Sequence, residues 1–381
     1  MERLGIVGSG QLAAMLVEAS HGLGLSLELL AADPADPAVA AAGGAVIGGA
    51  SDPEALRRLA ARCDRIAFEN EWVDLAALQQ LEQEGVQFQP GAAVMARLVD
   101  KRRQRQLMDE LLLPCPRWRD LAEVVGDGGD PGPLELPLMA KATCGGYDGR
   151  GTERLQHRAS LEALLMRVDP RDWILEELVP FERELALTVA RAADGTVTHF
   201  PLVETHQHRQ ICDWVLAPAH VPQAVRARAH AVAASLVTAL DYVGVLAIEF
   251  FLSPRGLQIN EVAPRTHNSG HYSIEACRTS QFQQQLLLLA GRPAGSTELL
   301  VPGALMVNLV GIDSVDQDHD NERAQLARLA DAHLHWYGKR GSRPGRKLGH
   351  ITLLLSARDP ALRRREAMER LAEVRAIWPL P

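Results

Sequence analysis

Short apolar runs alternate with helix-period segments through the first quarter of the chain. RLGIV, LSLELLAA and DRIAFENE read as strands, while QLAAMLVEASHGLG, DPEALRRLAARC and LAALQQLEQEG carry the spacing of amphipathic helices. That alternation predicts a parallel sheet with crossover helices over residues 1–98. A helix is predicted from about Asp100 to Leu112, stopped by Pro114 and Pro116, and a loose GDGGDPGPLELP connection precedes the next strand. A second unit is therefore expected over 99–302. It would hold the helix SLEALLMRV, the strands WILEELV, ELALTVARA and THFPLVET, an Ala-rich helix over about 219–240, and the hairpin VLAIEFFLSPRGLQINEVAPR. A last small unit, 303–381, is expected to end in basic strands and a short helix. The fold class is α/β.

Two glycine-rich turns bring chemistry into this pattern. In AKATCGGYDGRG a strand ending in Lys141 runs into a loop of glycines with Tyr147, Asp148 and Arg150. Its backbone N–H groups can fold around phosphate oxygens while the lysine supplies a point charge, although an ordinary surface loop has the same composition. After the first strand, GSGQLA has GxGxxA spacing and Asp33 closes the second strand, as a dinucleotide fingerprint would require. The same helix start, at Gly10, Gln11 and Leu12, suits any phosphorylated substrate.

The hairpin supports a register argument. Pro254-Arg255-Gly256 suits a three-residue loop, which sets Ser253 against Leu257 and, counting back by twos, Glu249 against Glu261. Their Cβ atoms would then lie roughly 5 Å apart, where like charges destabilise a sheet unless something neutralises them. Oxygen-only ligands at that spacing suit Mg²⁺. The alternatives are a two-residue loop, which opposes Glu249 to Asn260, or neutralisation by Arg265.

Composition narrows the partners. A net charge of −8 and a pI near 5.9 argue against a nucleic-acid surface. The five cysteines are scattered, odd in number and never in a CxxC pair, which argues against a disulfide framework or a structural zinc site and fits a reducing cytoplasm. No charged-then-apolar leader and no run of eighteen uncharged apolar residues is seen, so neither export nor a membrane partner is expected.

Taken in order, the lysine, glycine loop, acidic strand and carboxylate hairpin resemble the ATP-grasp ligases. TCGGYDGRG, INEVAPRTHNSGH and KRGSRPGRKLGH together resemble the N5-carboxyaminoimidazole ribonucleotide synthase family, over nearly the whole chain. The resemblance implies an ATP-grasp fold with an N-terminal Rossmann-like pre-ATP-grasp domain and a small C-terminal domain. It implies an ATP-dependent carbon–nitrogen ligase of purine biosynthesis, a cytoplasmic homodimer using ATP and Mg²⁺. Such an enzyme carboxylates 5-aminoimidazole ribonucleotide with bicarbonate, through carboxyphosphate, to N5-carboxyaminoimidazole ribonucleotide, ADP and phosphate.

Carried to matching positions, the resemblance implies that Lys101 and Lys141 meet the ATP phosphates. Gly146, Tyr147, Asp148, Gly149, Arg150, Gly151 and Thr152 would form the loop that closes over them. Glu176, Glu177, Leu178 and Val179 would run along the adenine, with Glu176 and Val179 bracketing its edge and the Glu177 and Glu182 side chains solvated. Glu184 would accept from the ribose hydroxyls, and Gln207 stands where the family has a nucleotide-contacting histidine. Glu249 and Glu261, beside Asn260, would hold Mg²⁺.

On the substrate side, two anions need cations in a dry site. Arg265 and Asn268 are assigned to bicarbonate, Lys339 and Arg346 to the nucleotide phosphate, Tyr147 and Asp148 to the imidazole, and Arg150 is a further cation. Glu69 or Glu71 would orient the amine, both lying on one face by strand alternation. His267 and His271 flank Asn268 as candidates for moving protons, against the commoner packing role. Departures from the family pattern are Ala13 for glycine, Cys144 for threonine, and Ala263, which leaves no asparagine two positions after Glu261. The rivals are a formate-dependent glycinamide ribonucleotide transformylase, a dinucleotide-dependent oxidoreductase and a non-catalytic nucleotide-binding protein.

Overall fold

In the computed structural model, residues 3–146, 150–312, 314, 318–339 and 341–381 are described. The alternation in the first part produces a parallel five-stranded sheet: β1 (Leu4–Val7), β2 (Leu27–Ala31), β3 (Gly44–Ile47), β4 (Arg65–Phe68) and β5 (Phe88–Gln89), in the order β3-β2-β1-β4-β5. All of β1 is buried, as a central strand covered on both faces must be. The helix Gln11–Leu23 leaves β1 through Gly8, whose φ of 119° only glycine adopts readily.

Glycine is required at that turn for a second reason. The Glu69 side chain, just past β4, lies so close that a Cβ on Gly8 would stand 2.2 Å from its Cγ. Its carboxylate accepts from Gly10 N at 2.5 Å and from Ala13 N at 2.8 Å, capping the helix from outside its own segment.

A four-stranded antiparallel sheet follows: β6 (Trp118–Asp120), β7 (Leu138–Ala142), β8 (Thr152–Leu155) and β9 (Trp173–Glu177), in the order β6-β9-β7-β8. The third sheet contains β10 (Arg183–Arg191), β11 (Val197–His199), β12 (Val203–His208), β13 (Ile211–Ala217), β14 (Gly244–Ser253), β15 (Gly256–Ala263), β16 (Gly303–Val310), β17 (Ala332–Trp336) and β18 (Lys347–Leu355). Their order is β15-β14-β10-β12-β13-β16-β18-β17, with β11 on β10.

The expected last unit therefore does not own a separate sheet. Strand β16 pairs with β13, so β16, β17 and β18 extend the sheet that carries the carboxylate hairpin. The chain closes with Pro360–Ile377, 18 residues rather than a short helix. The Ala-rich helix begins at Gln223 after Pro222 and buries Ala229, Val232, Ala233, Leu236 and Val237 with Leu185, Leu187, Leu246 and Ile248. The predicted strand THFPLVET is broken at Phe200–Leu202.

The hairpin turn differs from the expected one. Ser253 pairs with Gly256 and Leu252 with Leu257, so the loop is the two-residue Pro254-Arg255. A bulge between Glu249 and Phe250 then skips Asn260 and returns Glu249 to register with Glu261. The carboxylates face each other, as expected, through a different turn plus one extra residue.

Gly8→Ala is predicted to destabilise the protein by about 2 kcal/mol or more, combining a strained φ with eviction of Glu69. Denaturant unfolding measures this; an unchanged midpoint would contradict the close packing.

Candidate active site

Bulges put two successive side chains of one strand beside a single partner. Glu249, Asn260 and Glu261 meet in this way: Asn260 Nδ2 donates to Glu249 Oε2 at 3.4 Å, and Lys101 Nζ contacts Glu261 Oε1. Burial, and then Glu261, push the Glu249 carboxyl up to about 7. Burial and then Glu249 push Glu184 on β10 up to about 7. Lys101 holds Glu261 below the ordinary value, although the surrounding protein opposes its ionisation.

These groups fit a divalent cation. Among the described residues no set of three or more His, Cys, Asp or Glu side chains could hold a metal by itself. Mg²⁺ needs no such set, because it takes one or two carboxylates and completes its shell from water and phosphate. Burial is the larger cause of the rise in Glu249; the charge of Glu261, which adds to it, is what a cation would relieve. Arg265, the alternative neutraliser, does not serve the hairpin: its Nε pairs with Glu71 at 2.9 Å.

Lys141, at the end of β7, is almost fully buried. Its Nζ lies 2.7 Å from Glu176 Oε2 and 3.0 Å from Asn260 Oδ1. Burial lowers its pKa despite Glu176. Glu176 is shared with Arg105, whose Nε lies 2.7 Å away and whose Nη2 donates to Asn260 O at 2.6 Å. Burial opposes the charge on Glu176, but Arg105 and Lys141 hold its carboxyl down at about 2. The Glu176 side chain thus fixes two cations and the bulge. Arg105 was not anticipated from the sequence; with Gln104, Leu107 and Met108 it forms the buried side of the helix Lys101–Glu110.

Glu177 is a correction. Expected in solvent, it is buried, with Arg117 Nε at 2.9 Å and Arg255 Nη2 at 3.0 Å, because successive strand residues face opposite sides and this side is covered by the hairpin tip. Glu182 is exposed as expected. Val179 is buried and Leu178 partly so.

The glycine loop returns toward Lys101. A Cβ on Gly146 would lie 2.9 Å from Arg150 O and 4.0 Å from Lys101 Cε, and Gly151 has a φ of 70°. Thr152 pairs with Lys141 across β7 and β8, and Arg150 is exposed. Tyr147, Asp148 and Gly149 lie outside the described residues. The Cys144 thiol is raised by burial and Asp100, so it is not an activated nucleophile.

Glu69 and Glu71 do not act as a pair on one face. Both follow the end of β4, where alternation no longer applies; Glu69 caps the first helix and Glu71 binds Arg265. The N–H groups expected for a phosphate at Gly10, Gln11 and Leu12 are thus partly occupied by the protein's own carboxylate. Burial raises the Glu69 pKa, while its hydrogen bonds and the charges of Arg265 and Lys339 oppose the rise.

His267 Nε2 lies 3.6 Å from Glu249 Oε1, next to the hairpin. Asn268, expected on bicarbonate, instead exchanges two hydrogen bonds with Asn308 of β16, at 2.9 and 2.8 Å. Its neighbour in sequence, not Asn268 itself, faces the carboxylates. His271 is fully buried. Lys339 Nζ donates to Lys347 O at 2.9 Å, and Arg346 Nη1 to Gly341 O at 2.7 Å. Gln207 sits at a register shift in β12, where His206 stacks on Trp214.

Comparison with known proteins identifies the family of the chain. Residues 1–98 match the ribonucleotide synthetase preATP-grasp domain, 106–282 the ATP-grasp domain, and 304–364 the phosphoribosylaminoimidazole carboxylase C-terminal domain. N5-carboxyaminoimidazole ribonucleotide synthase of Synechococcus elongatus is 48% identical over 381 residues, covering 100% of this chain and 96% of its relative. Carboxyaminoimidazole ribonucleotide synthase of Aspergillus clavatus, solved with ATP, superposes with a TM-score of 0.89 at 32% identity, over 99% of each chain. The Aspergillus clavatus enzyme solved with ADP and 5-aminoimidazole ribonucleotide gives 0.86 at 30% identity, over 98% of each. The chain belongs to the N5-carboxyaminoimidazole ribonucleotide synthase family of ATP-grasp enzymes.

Proposed function

We propose that this chain carboxylates 5-aminoimidazole ribonucleotide with bicarbonate and ATP, forming N5-carboxyaminoimidazole ribonucleotide, ADP and phosphate through carboxyphosphate, as a ligase of purine biosynthesis. The observation that supports this most is the convergence of Glu249, Asn260 and Glu261 with Lys101 and Lys141, next to His267.

In this reading Lys101 and Lys141 bind phosphate oxygens, and the loop from Gly146 to Thr152 closes over them to exclude water. The segment from Glu176 to Val179 lies along the adenine, Glu184 takes the ribose hydroxyls, and Gln207 borders the nucleotide. Glu249 and Glu261 would hold Mg²⁺, which when bound neutralises charge on the transferring phosphoryl group. Arg265 offers bicarbonate a planar pair of donors, held in orientation by Glu71. His267, against Glu249, is placed to hold or move a proton. Lys339 and Arg346 take the ribonucleotide phosphate beside Gly10, Gln11 and Leu12, Tyr147 and Asp148 are assigned to the imidazole, and Arg150 is a further cation. Glu69 fixes the first helix toward that phosphate. Asn268 has no contact role here; it ties its turn to β16.

No described helix is long and apolar enough to cross a membrane. A homodimer in the cytoplasm, built from units 1–98, 99–302 and 303–381, completes the reading. The nicotinamide alternative is disfavoured because it leaves the facing carboxylates Glu249 and Glu261 without a role.

ADP release is predicted to require both 5-aminoimidazole ribonucleotide and bicarbonate; release driven instead by glycinamide ribonucleotide and formate would favour the transformylase. Glu261→Gln is predicted to lower turnover at least about a hundredfold with an unchanged circular dichroism spectrum. Retained activity at saturating magnesium would remove its metal role. Arg265→Lys is predicted to lose roughly a hundredfold in kcat, since a point charge cannot reproduce the fork that Glu71 orients. Steady-state assays check this, and near-normal kcat would contradict it.

A further inference from the structure

A buried group of aromatic side chains lies between the His267 turn and Lys339, and the reaction itself does not use it. Tyr337, buried just beyond β17, shares a 2.9 Å hydrogen bond between its hydroxyl and His350 Nδ1 on β18. The His350 ring stacks on His335 at 4.5 Å and meets His271 at 4.9 Å with a 40° tilt. His335 Nε2 is in turn held by Glu275 at 2.6 Å. Gln281 Nε2 lies 3.2 Å from His271 Nδ1 and donates to His267 O at 2.7 Å, and Gln281 Oε1 accepts from His267 N at 3.0 Å. An unbroken series of contacts thus joins the turn beside the carboxylates to Tyr337.

At the other end stands a cation. Lys339 Nζ lies 5.3 Å from the centroid of the Tyr337 ring, in cation–π range, and also donates to Lys347 O. The contact between the Tyr337 hydroxyl and His350 anchors the far end of the ring and so fixes where its face stands beside the ammonium.

The histidines are a costly way to fill a core. His271 and His350 are both fully buried, and the Nε2 atom of each has no protein hydrogen-bond partner. With each Nδ1 engaged, by Gln281 and by Tyr337, each Nε2 is left buried without a partner, which is destabilising. Burial, and then the neighbouring histidines, hold both rings well below the ordinary histidine pKa, so both stay neutral. An apolar pair would pack there without that penalty. What it would lack is the hydrogen-bond partner of Tyr337.

We infer that Tyr337 and His350 are positioning residues that hold the Lys339 ammonium in place for the ribonucleotide phosphate, in register with the His267 turn. The inference rests on the phosphate role proposed for Lys339. Removing the hydroxyl would leave the fold and the ATP site in place but would loosen the platform, weakening capture of the ribonucleotide more than the chemical step.

The test is a double-mutant cycle on steady-state kinetics. Tyr337→Phe is expected to raise the KM for 5-aminoimidazole ribonucleotide about five- to tenfold, with kcat and the KM for ATP within about twofold. In a Lys339→Ala background the same substitution is expected to have no further effect. His350→Leu should reproduce Tyr337→Phe, whereas His350→Asn, which keeps an acceptor near the Nδ1 position, should restore most of the affinity. A normal ribonucleotide KM in Tyr337→Phe, or an effect that persists undiminished without Lys339, overturns the inference while leaving the Lys339 assignment standing. A normal KM in Lys339→Ala overturns that assignment and the inference with it.

Discussion

One inserted residue in a hairpin governs the site. Without the bulge at Asn260, the two-residue turn at Pro254-Arg255 would set Glu249 against Asn260 and send Glu261 to the other face of the sheet. With it, two carboxylates and an amide share one side, and the backbone carbonyl of Asn260 is left for Arg105. The bulge is thus a device for concentrating negative charge where a regular ladder would disperse it.

Concentrated charge has to be balanced, and the balance differs between the floor of the site and its mouth. Glu176 on the floor is permanently matched by Arg105 and Lys141 at 2.7 Å each. Breaking such a buried set by removing one partner leaves an uncompensated charge, typically at a cost of about 3–5 kcal/mol. At the mouth, Lys101 pairs with Glu261, and Glu249 keeps a carboxyl that burial, and then Glu261, push up to about 7. The deeper trio gives the lysine a fixed position, and the unbalanced pair above it gives a cation a reason to bind. Both features depend on Asn260, which touches Lys141 through its side chain and Arg105 through its backbone.

Much of this was legible in the sequence where the signal is local. Strand and helix periods gave the parallel N-terminal sheet, and Lys141 followed from a strand running into glycines. The facing carboxylates followed from counting along the hairpin, although the turn was one residue shorter than supposed and the bulge restored the count; a bulge leaves no mark in an apolar–polar pattern. Non-local pairing was not legible. Nothing near residue 303 announces that β16 joins β13, and nothing in KRRQRQ says that Arg105 turns inward to a glutamate some seventy residues on. Glu69 and Glu71 were read as a strand pair because alternation holds only while the strand lasts, and theirs ends at Phe68. Asn268 was read with its motif, but its partner Asn308 lies on a strand no short motif includes.

The measurement that bears most directly on the hairpin is the affinity for ADP, by titration calorimetry, with and without Mg²⁺. The unmodified chain should bind ADP at least about tenfold more tightly when Mg²⁺ is present, and Glu249→Gln should lose that gain while still binding ADP. The same magnesium-dependent tightening in both proteins would contradict the assignment of the bulged hairpin as the cation's seat.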